Sequence, residues 1–151
     1  MKDERIIKDK VLELAKLVDR EFLSKTPIVS VMDLKQDLID KKSLIIVDVR
    51  EPEEQSTSMI KGAISLEKFA AQKDELKDKK IVMYCTIGHR SAIVSEKYRS
   101  LGFNTHSLSG SILMWVHEKG ELIDQNNNPT NIVHVYEDKW DLLPKGYLGV
   151  K

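Results

Sequence analysis

A single cysteine stands at the end of a short apolar run and is followed by a polar loop. The run covers residues 81–84, and the loop reads Cys85-Thr86-Ile87-Gly88-His89-Arg90-Ser91. A loop that closes onto the start of a helix directs several backbone N–H groups, and the positive end of the helix dipole, at one point. A cysteine placed there is favoured as a thiolate, which is the nucleophilic form of the side chain.

The other residue types in the loop fit the binding of an anion beside that thiolate. Gly88 permits a backbone conformation that most residues resist, and Arg90 supplies a permanent cation whose planar donors suit oxyanions. A lone cysteine after a buried strand is most often a small core residue. Gly88, Arg90 and Ser91, however, have no packing reason to follow a core strand in that order. His89 is open to two interpretations, a substrate-orienting residue or an ordinary surface histidine.

Two apolar runs predict the strands that position this loop. Residues 44–49 and 81–84 are short and rich in β-branched side chains, as is typical of strands buried on both faces of a parallel sheet. Asp48 and Arg50 lie at the end of the first run, and Cys85 follows the second, so all three are expected at the same edge of the sheet. Asp48 and Arg50 either brace the loop by hydrogen bonds or form a local ion pair.

The remaining patterns predict an α/β fold with a central, mainly parallel sheet of about five strands flanked by helices. Residues 3–23 repeat apolar side chains at helical spacing and predict an amphipathic N-terminal helix. Other elements are predicted at residues 28–31 (strand), 33–40 (helix, capped by Ser30 or Asp33), 63–66 (strand), 67–78 (helix), 91–101 (helix, with Ala92, Ile93, Tyr98 and Leu101 towards the core), 104–108 (strand), 112–117 (helical turn) and 132–136 (strand). The chain is divided into an N-terminal helical extension (1–25), a main domain (28–120) and a C-terminal extension (121–151) packed on that domain.

Composition argues against several classes of protein. The 151 residues suit one domain, and 24 basic residues balance 24 acidic ones, so the basic excess of a nucleic-acid binder is missing. No run of about 18 apolar residues predicts a membrane span, and no apolar leader is evident, so a cytoplasmic location is expected. One cysteine excludes an internal disulfide, and four scattered histidines show no metal-ligand spacing. We therefore expect no metal and no cofactor.

Several segments together resemble the rhodanese family. The loop from Cys85 to Ser91 matches the family form Cys-x-x-Gly-x-Arg-Ser, and the resemblance covers roughly residues 28 to 120. The supporting segments are Ile46-Val47-Asp48-Val49-Arg50-Glu51-Pro52-Glu53-Glu54, Met59-Ile60-Lys61-Gly62-Ala63-Ile64, Leu101-Gly102-Phe103, and Leu108-Ser109-Gly110-Ser111-Ile112 with Trp115. The chain departs from the family at Gln55, where an aromatic residue is common, at Ser58-Met59 in place of Gly-His, and at Ser109-Gly110 in place of Gly-Gly.

The resemblance implies sulfane-sulfur transfer, in which Cys85 carries a persulfide and the loop N–H groups with Arg90 bind the substrate. The donor would be a small sulfur-containing anion such as thiosulfate or a persulfide, and a protein is a further candidate as donor or acceptor. Neither a nucleic acid nor a membrane is expected as partner, and the protein would be a monomer or a homodimer. Two alternatives stay open at this point: a cysteine-dependent phosphatase or arsenate reductase of related fold, and a non-catalytic interaction module. The phosphatase loop has five residues between cysteine and arginine, whereas this chain has four, Thr86 to His89.

Overall fold

A computed structural model describes residues 3–151 and contains a five-stranded parallel sheet with helices on both faces. The strands are β1 (Ile28–Val29), β2 (Leu44–Asp48), β3 (Met59–Ile60), β4 (Ile64–Ser65), β5 (Lys80–Tyr84), β6 (Asn104–Leu108), β7 (Leu122–Ile123), β8 (Ile132–His134) and β9 (Leu148–Val150). The helices are α1 (Glu4–Phe22), α2 (Val31–Ile39), α3 (Pro52–Thr57), α4 (Leu66–Gln72), α5 (His89–Ser100) and α6 (Ser111–His117), with 3-10 turns at Lys73–Leu76 and Asp138–Trp140. The main sheet has the order β1-β6-β5-β2-β4, while β3 pairs with β7 and β8 with β9. The predicted fold class is confirmed.

Strand β5 lies at the centre of the sheet and is buried on both faces. Val82 and Tyr84 point into one apolar cluster, together with buried residues of α1, α2 and α6. Ile81, Met83 and Cys85 point into a second cluster on the opposite face, together with residues of α4 and α5. This alternation is the period of two expected of a strand. It brings the loop after Tyr84 to the carboxyl edge of the sheet, where α/β folds bind their ligands.

Strand β1 ends, and helix α2 begins, two residues earlier than the sequence pattern predicts. The Oγ atom of Ser30 accepts a hydrogen bond from the backbone N–H of Asp33 at 3.0 Å, and α2 therefore begins at Val31. A serine at this position satisfies a backbone donor that the first helical turn leaves without a partner. The prediction of a strand over residues 28–31 was thus too long, and Ser30 is the cap.

Helix α5 packs on the sheet through a face that differs in part from the predicted one. Ala92 and Tyr98 are buried as expected, but Ile93 and Leu101 are 49% and 55% exposed, so their predicted core positions are wrong. Ser91 and Ser95 are buried instead. Small side chains line part of this face and let the helix pack against β5 and β6, while Ile93 and Leu101 lie on the outer side.

Helix α1 packs beside α6 on the apolar cluster that contains Tyr84, and its residues Val11 and Ala15 are buried. Near its end, Asp19 accepts a hydrogen bond from the hydroxyl of Ser109 at 2.6 Å. Burial raises the pKa of Asp19, and the bond from Ser109 opposes that shift. One of the positions that departs from the family pattern therefore contacts this helix. Residues 1 and 2 of the predicted N-terminal extension lie outside the described residues.

The C-terminal segment contributes to the same core. Val133, Val135 and Leu143 are at most 1% exposed and belong to the cluster that contains Tyr84. The ring Nε2 of His117 lies 2.7 Å from the carbonyl oxygen of Leu142, which joins α6 to this segment. Within residues 3–151, none of the helices has the length and apolar character needed to cross a membrane.

Candidate active site at Cys85

The loop after Cys85 is fixed by the start of helix α6. The hydroxyl oxygen of Ser111 accepts a hydrogen bond from the backbone N–H of Cys85 at 3.1 Å. The N–H groups of Ile112 and Leu113 donate to the carbonyl oxygens of Cys85 and Thr86, at 3.1 and 3.2 Å. These three hydrogen bonds hold the first two residues of the loop against α6.

Two of these N–H groups point at the sulfur of Cys85. The Sγ atom lies 3.2 Å from the backbone nitrogen of Gly88 and 3.4 Å from that of Ser91, and 3.6 Å from the Ser91 hydroxyl. Gly88 has a φ of 119° and caps α5, a conformation that side-chain-bearing residues rarely adopt. A β-carbon there would meet no atom closer than 3.6 Å, so the backbone angle and not the lack of space accounts for the glycine. The structure therefore places two backbone N–H donors at the sulfur, while the predicted roles of nucleophile and anion cradle stay a prediction.

Arg90 forms an ion pair with Glu54, a residue that the sequence did not single out. Its Nη1 and Nη2 atoms donate to the two carboxylate oxygens at 2.8 and 3.0 Å, and Nη2 also donates to the hydroxyl of Thr86 at 2.9 Å. Burial by itself raises the pKa of a carboxyl, but the hydrogen bonds from Arg90 and from the Glu51 backbone hold the pKa of Glu54 below its usual value. Arg90 is thus oriented beside the cysteine loop, with part of its five-donor set still available.

The ion pair lowers the pKa of Glu54 and raises the pKa of Arg90. Burial alone lowers the pKa of a guanidinium, but the hydrogen bonds to Glu54 and the charge at Cys85 raise the pKa of Arg90 above its usual value. Helix α3 holds Glu54 in place, because the Glu54 carboxylate accepts the backbone N–H of Glu51 at 2.8 Å in a capping box. The cation is therefore permanent at every physiological pH, as binding of an anion requires.

Asp48 and Arg50 form a buried ion pair that connects the ends of β2 and β5. The Nη2 atom of Arg50 lies 2.7 Å from Asp48 Oδ2, and both side chains are fully buried. The phenol of Tyr84 donates to the same oxygen at 2.5 Å and accepts the backbone N–H of Ile60. Burial, followed by the charge of Asp48, raises the pKa of Tyr84 well above its usual value. Tyr84 directly precedes Cys85, so this network fixes the strand end from which the loop leaves.

The network also positions helix α3, and through it Glu54. The side-chain amide of Gln55 donates to the carbonyl oxygens of Asp48 and Arg50, both at 3.0 Å. Within residues 3–151, the side chains of Asp48 and Arg50 form no hydrogen bond with residues 85–91. Of the two interpretations left open, the pair is local, and its influence on the loop is indirect.

The side chains of Ile87 and His89 point away from the Cys85 sulfur, one into the core and the other towards helix α1. Ile87 is buried in the cluster beneath the loop, so it contributes backbone rather than a side-chain contact. The ring of His89 packs edge-on against Phe22 at 5.4 Å between centroids, and its Nε2 lies 4.0 Å from a carboxylate oxygen of Glu21. Helix α1 therefore contacts the loop at His89. No group of three histidine, cysteine, aspartate or glutamate side chains in the described part of the chain is arranged to hold a metal ion.

The C-terminal segment lies beside the cysteine loop. No local sequence signal indicated this proximity. A cavity of about 210 Å³ is lined on one side by Cys85, Thr86, Ile87, His89 and Arg90 and on the other by Tyr136, Glu137, Lys139 and Trp140. The guanidinium carbon of Arg90 lies 4.8 Å from the centre of the Tyr136 ring. Trp140 packs against the core and also lines this cavity.

Fold and loop together agree with the comparison to known proteins. Residues 30–118 match the family model described as the rhodanese-like domain. This match covers more than half of the chain, so the protein belongs to the rhodanese-like domain family, as its motifs indicate.

Individual relatives share about a third of their residues with this chain, over part of its length. The chain is 37% identical over 68 residues to a tRNA sulfurtransferase of Desulfurococcus amylolyticus, which corresponds to 45% of this chain but only 14% of the length of that protein. It is 31% identical over 90 residues to the Bacillus subtilis protein named "Putative sulfurtransferase YtwF", covering 58% of this chain and 87% of that one. The crystal structure of the BH2092 protein from Bacillus halodurans superposes with a TM-score of 0.60 at 29% identity, over 70% of this chain and 82% of that chain.

Proposed function

We propose that this protein is a sulfurtransferase that carries sulfane sulfur as a persulfide on Cys85. The observation that supports the proposal most directly is the position of the Cys85 sulfur, within 3.4 Å of the backbone N–H groups of Gly88 and Ser91. Such donors stabilise negative charge on sulfur, both in the attacking thiolate and in the persulfide that follows. The family match and the sulfurtransferase names of two relatives agree with this chemistry.

The reaction divides into two displacements at sulfur. In the first, the Cys85 thiolate attacks the outer sulfur of thiosulfate, a new S–S bond forms, the old S–S bond breaks, and sulfite leaves with the electron pair. In the second, a thiophilic acceptor such as cyanide attacks the outer sulfur of the persulfide, and Cys85 leaves as thiolate. No electrons are gained or lost overall, so the cycle requires no cofactor. The remaining donors of Arg90 would hold the sulfonate oxygens in the first step.

We propose the physiological sulfur donor and acceptor only by their chemical class. A cradle built from backbone N–H groups and one arginine suits a small sulfane-sulfur anion, and a low-molecular-weight persulfide is the second class of donor to be tested. A protein donor or acceptor would have to present its sulfur at the cavity that Tyr136 borders. With 24 basic and 24 acidic residues, the chain lacks the charge excess that nucleic-acid binding relies on.

Mass spectrometry of the intact protein after incubation with thiosulfate tests this proposal directly. We expect a gain equal to one sulfur atom, lost on addition of cyanide with release of thiocyanate. Cys85→Ser should show neither the adduct nor the activity, because a hydroxyl forms no persulfide and does not ionise near neutral pH. Equal thiocyanate production by the wild type and Cys85→Ser would refute the proposal.

The length of the loop favours sulfur transfer over phosphate chemistry. Only four residues separate Cys85 from Arg90, so the ring of N–H donors is narrow and closes on the sulfur itself. A phosphoryl group would sit too far from the sulfur for in-line attack, and a displacement of about 1 Å can cost on the order of 100-fold in rate. We expect negligible hydrolysis of aryl phosphates; a Cys85-dependent rate comparable to sulfur transfer would favour the phosphatase class instead.

A further inference from the structure

The outer wall of the cavity at Cys85 is built by a part of the chain that lies beyond the matched family domain. The rhodanese-like match ends at residue 118, whereas Tyr136, Lys139 and Trp140 line the cavity opposite the cysteine loop. The sulfur itself is deeply placed, since Cys85 is only 1% exposed. The cavity between the loop and this segment is the space from which we expect a donor to approach the sulfur.

This segment is anchored on the domain by buried residues at both ends. Val135 is buried immediately before Tyr136, and Leu143 is buried shortly after Trp140. Tyr136 has a φ of 72°, in the left-handed region, and its backbone N–H donates to Nδ1 of His134 at 3.2 Å. A bulky residue adopts that angle only where the surroundings hold it there, and such residues cluster at ligand sites. The turn directs the aromatic ring over Arg90.

The size and charge of the cavity restrict its ligand. Its volume of about 210 Å³ lies below the roughly 300–1,000 Å³ of pockets that enclose drug-sized molecules. Lys139 adds a cation at the rim; it is exposed, lies 3.7 Å from Glu137 and sits over the ring of Trp140. A small anion fits these conditions, whereas a peptide-sized persulfide would have to extend past the two aromatic rings that line the cavity.

We propose, on the basis of the sulfurtransferase function above, that Tyr136 and Trp140 are specificity-determining residues that limit the sulfur donor to small inorganic anions. Tyr136 is half exposed, so its removal opens the cavity without emptying the core. The wall acts by exclusion, because neither ring supplies a group that takes part in the displacement at sulfur.

The experiment compares two donors of different size, thiosulfate and glutathione persulfide, by the kcat/KM for persulfide formation at Cys85. In Tyr136→Ala/Trp140→Ala the ratio of glutathione persulfide to thiosulfate should rise by about tenfold, the scale on which a change in pocket volume alters discrimination. Tyr136→Phe keeps the ring and should leave the ratio unchanged. Leu148→Ala, at an exposed position in β9 of the same segment that does not line the cavity, is the matched control.

The outcomes separate the two proposals. If Tyr136→Ala and the double variant transfer sulfur normally and the donor ratio is unchanged, the role of Tyr136 and Trp140 in donor selection is refuted. The proposal that the protein is a sulfurtransferase would still stand. A wild type that forms no persulfide with either donor would refute the sulfurtransferase, and the donor selection with it. Circular dichroism and thermal melting confirm that each variant is folded, and Tyr136→Ala alone suffices if Trp140→Ala unfolds the segment.

Discussion

Arg90 can serve the site in two ways, and substitution of Arg90 and of its partner Glu54 separates them. The guanidinium makes two hydrogen bonds to the Glu54 carboxylate and one to Thr86, and it still has donors to offer an anion. If Arg90 binds the donor, Arg90→Ala affects catalysis far more than Glu54→Gln does. If Arg90 only supports the loop through Glu54, the two substitutions have similar effects.

The cost in stability follows from the burial of the pair. Arg90→Ala leaves a carboxylate that is 1% exposed without its cation, and losing hydrogen bonds to a charged group costs about 1.5–3 kcal/mol. The side chain of Arg90 is 30% exposed, so solvent reduces the loss, and we expect about 2 kcal/mol. For a chain of this size that lowers the melting temperature by about 4–8 °C. Glu54→Gln/Arg90→Ala should cost less than the sum of the single variants.

The catalytic readout is the rate of thiocyanate formation over a range of thiosulfate concentrations. We expect Arg90→Ala to lower kcat/KM by more than about tenfold, mainly through KM, because a charge-assisted contact to the anion is lost. Glu54→Gln should lower it only about threefold, since the anion contact remains and only the orientation of Arg90 is relaxed. Arg90→Lys should recover part of the loss, as the charge is kept but the planar fork is not. Equal losses in Arg90→Ala and Glu54→Gln would refute direct anion binding, and an unchanged rate in Arg90→Ala would make the arginine purely structural.

Three further results are expected. Tyr84→Phe should lower the free energy of unfolding by about 1–3 kcal/mol in urea titrations, because Asp48 loses a buried donor and Ile60 N–H its acceptor; a change under about 0.5 kcal/mol would contradict the assigned role of the network. Burial lowers the pKa of His117 below its usual 6.5, so the stability that the neutral ring contributes is complete above pH 6.5 and is lost as the pH falls through the lowered pKa. His117→Gln should therefore reduce the loss of folding stability on the acidic side of pH 6.5. An unchanged slope of stability against pH in His117→Gln would exclude this histidine as the cause of the loss. Phe22→Ala should cost about 3 kcal/mol, since the ring is 4% exposed and closes α1 on the domain; an unchanged melting curve would show that the helix is not held there.

The sequence alone determined the fold class and the position of the candidate nucleophile, because both are encoded locally. Two short apolar runs, each followed at once by polar residues, identify the buried strands β2 and β5 and the edge at which they end. Cys85, Gly88 and Ser91 are close in the chain, so the closing of their loop on α5 depends on local backbone geometry and a helix start. The two-residue strands β3 and β7 were missed because they carry no periodicity and form only by pairing with each other.

The partners of the loop were decided by tertiary structure. Glu54 lies in a charged stretch that reads as a solvated helix start, yet it is buried and paired with Arg90, 36 positions away. Ser111 accepts the Cys85 N–H across a separation of 26 positions. Tyr136 covers Arg90 only because the C-terminal segment packs on the core and makes a left-handed turn there. A sequence pattern shows which face of its own element a residue occupies, but the burial of a charge and the wall of a cavity depend on what other elements bring beside it.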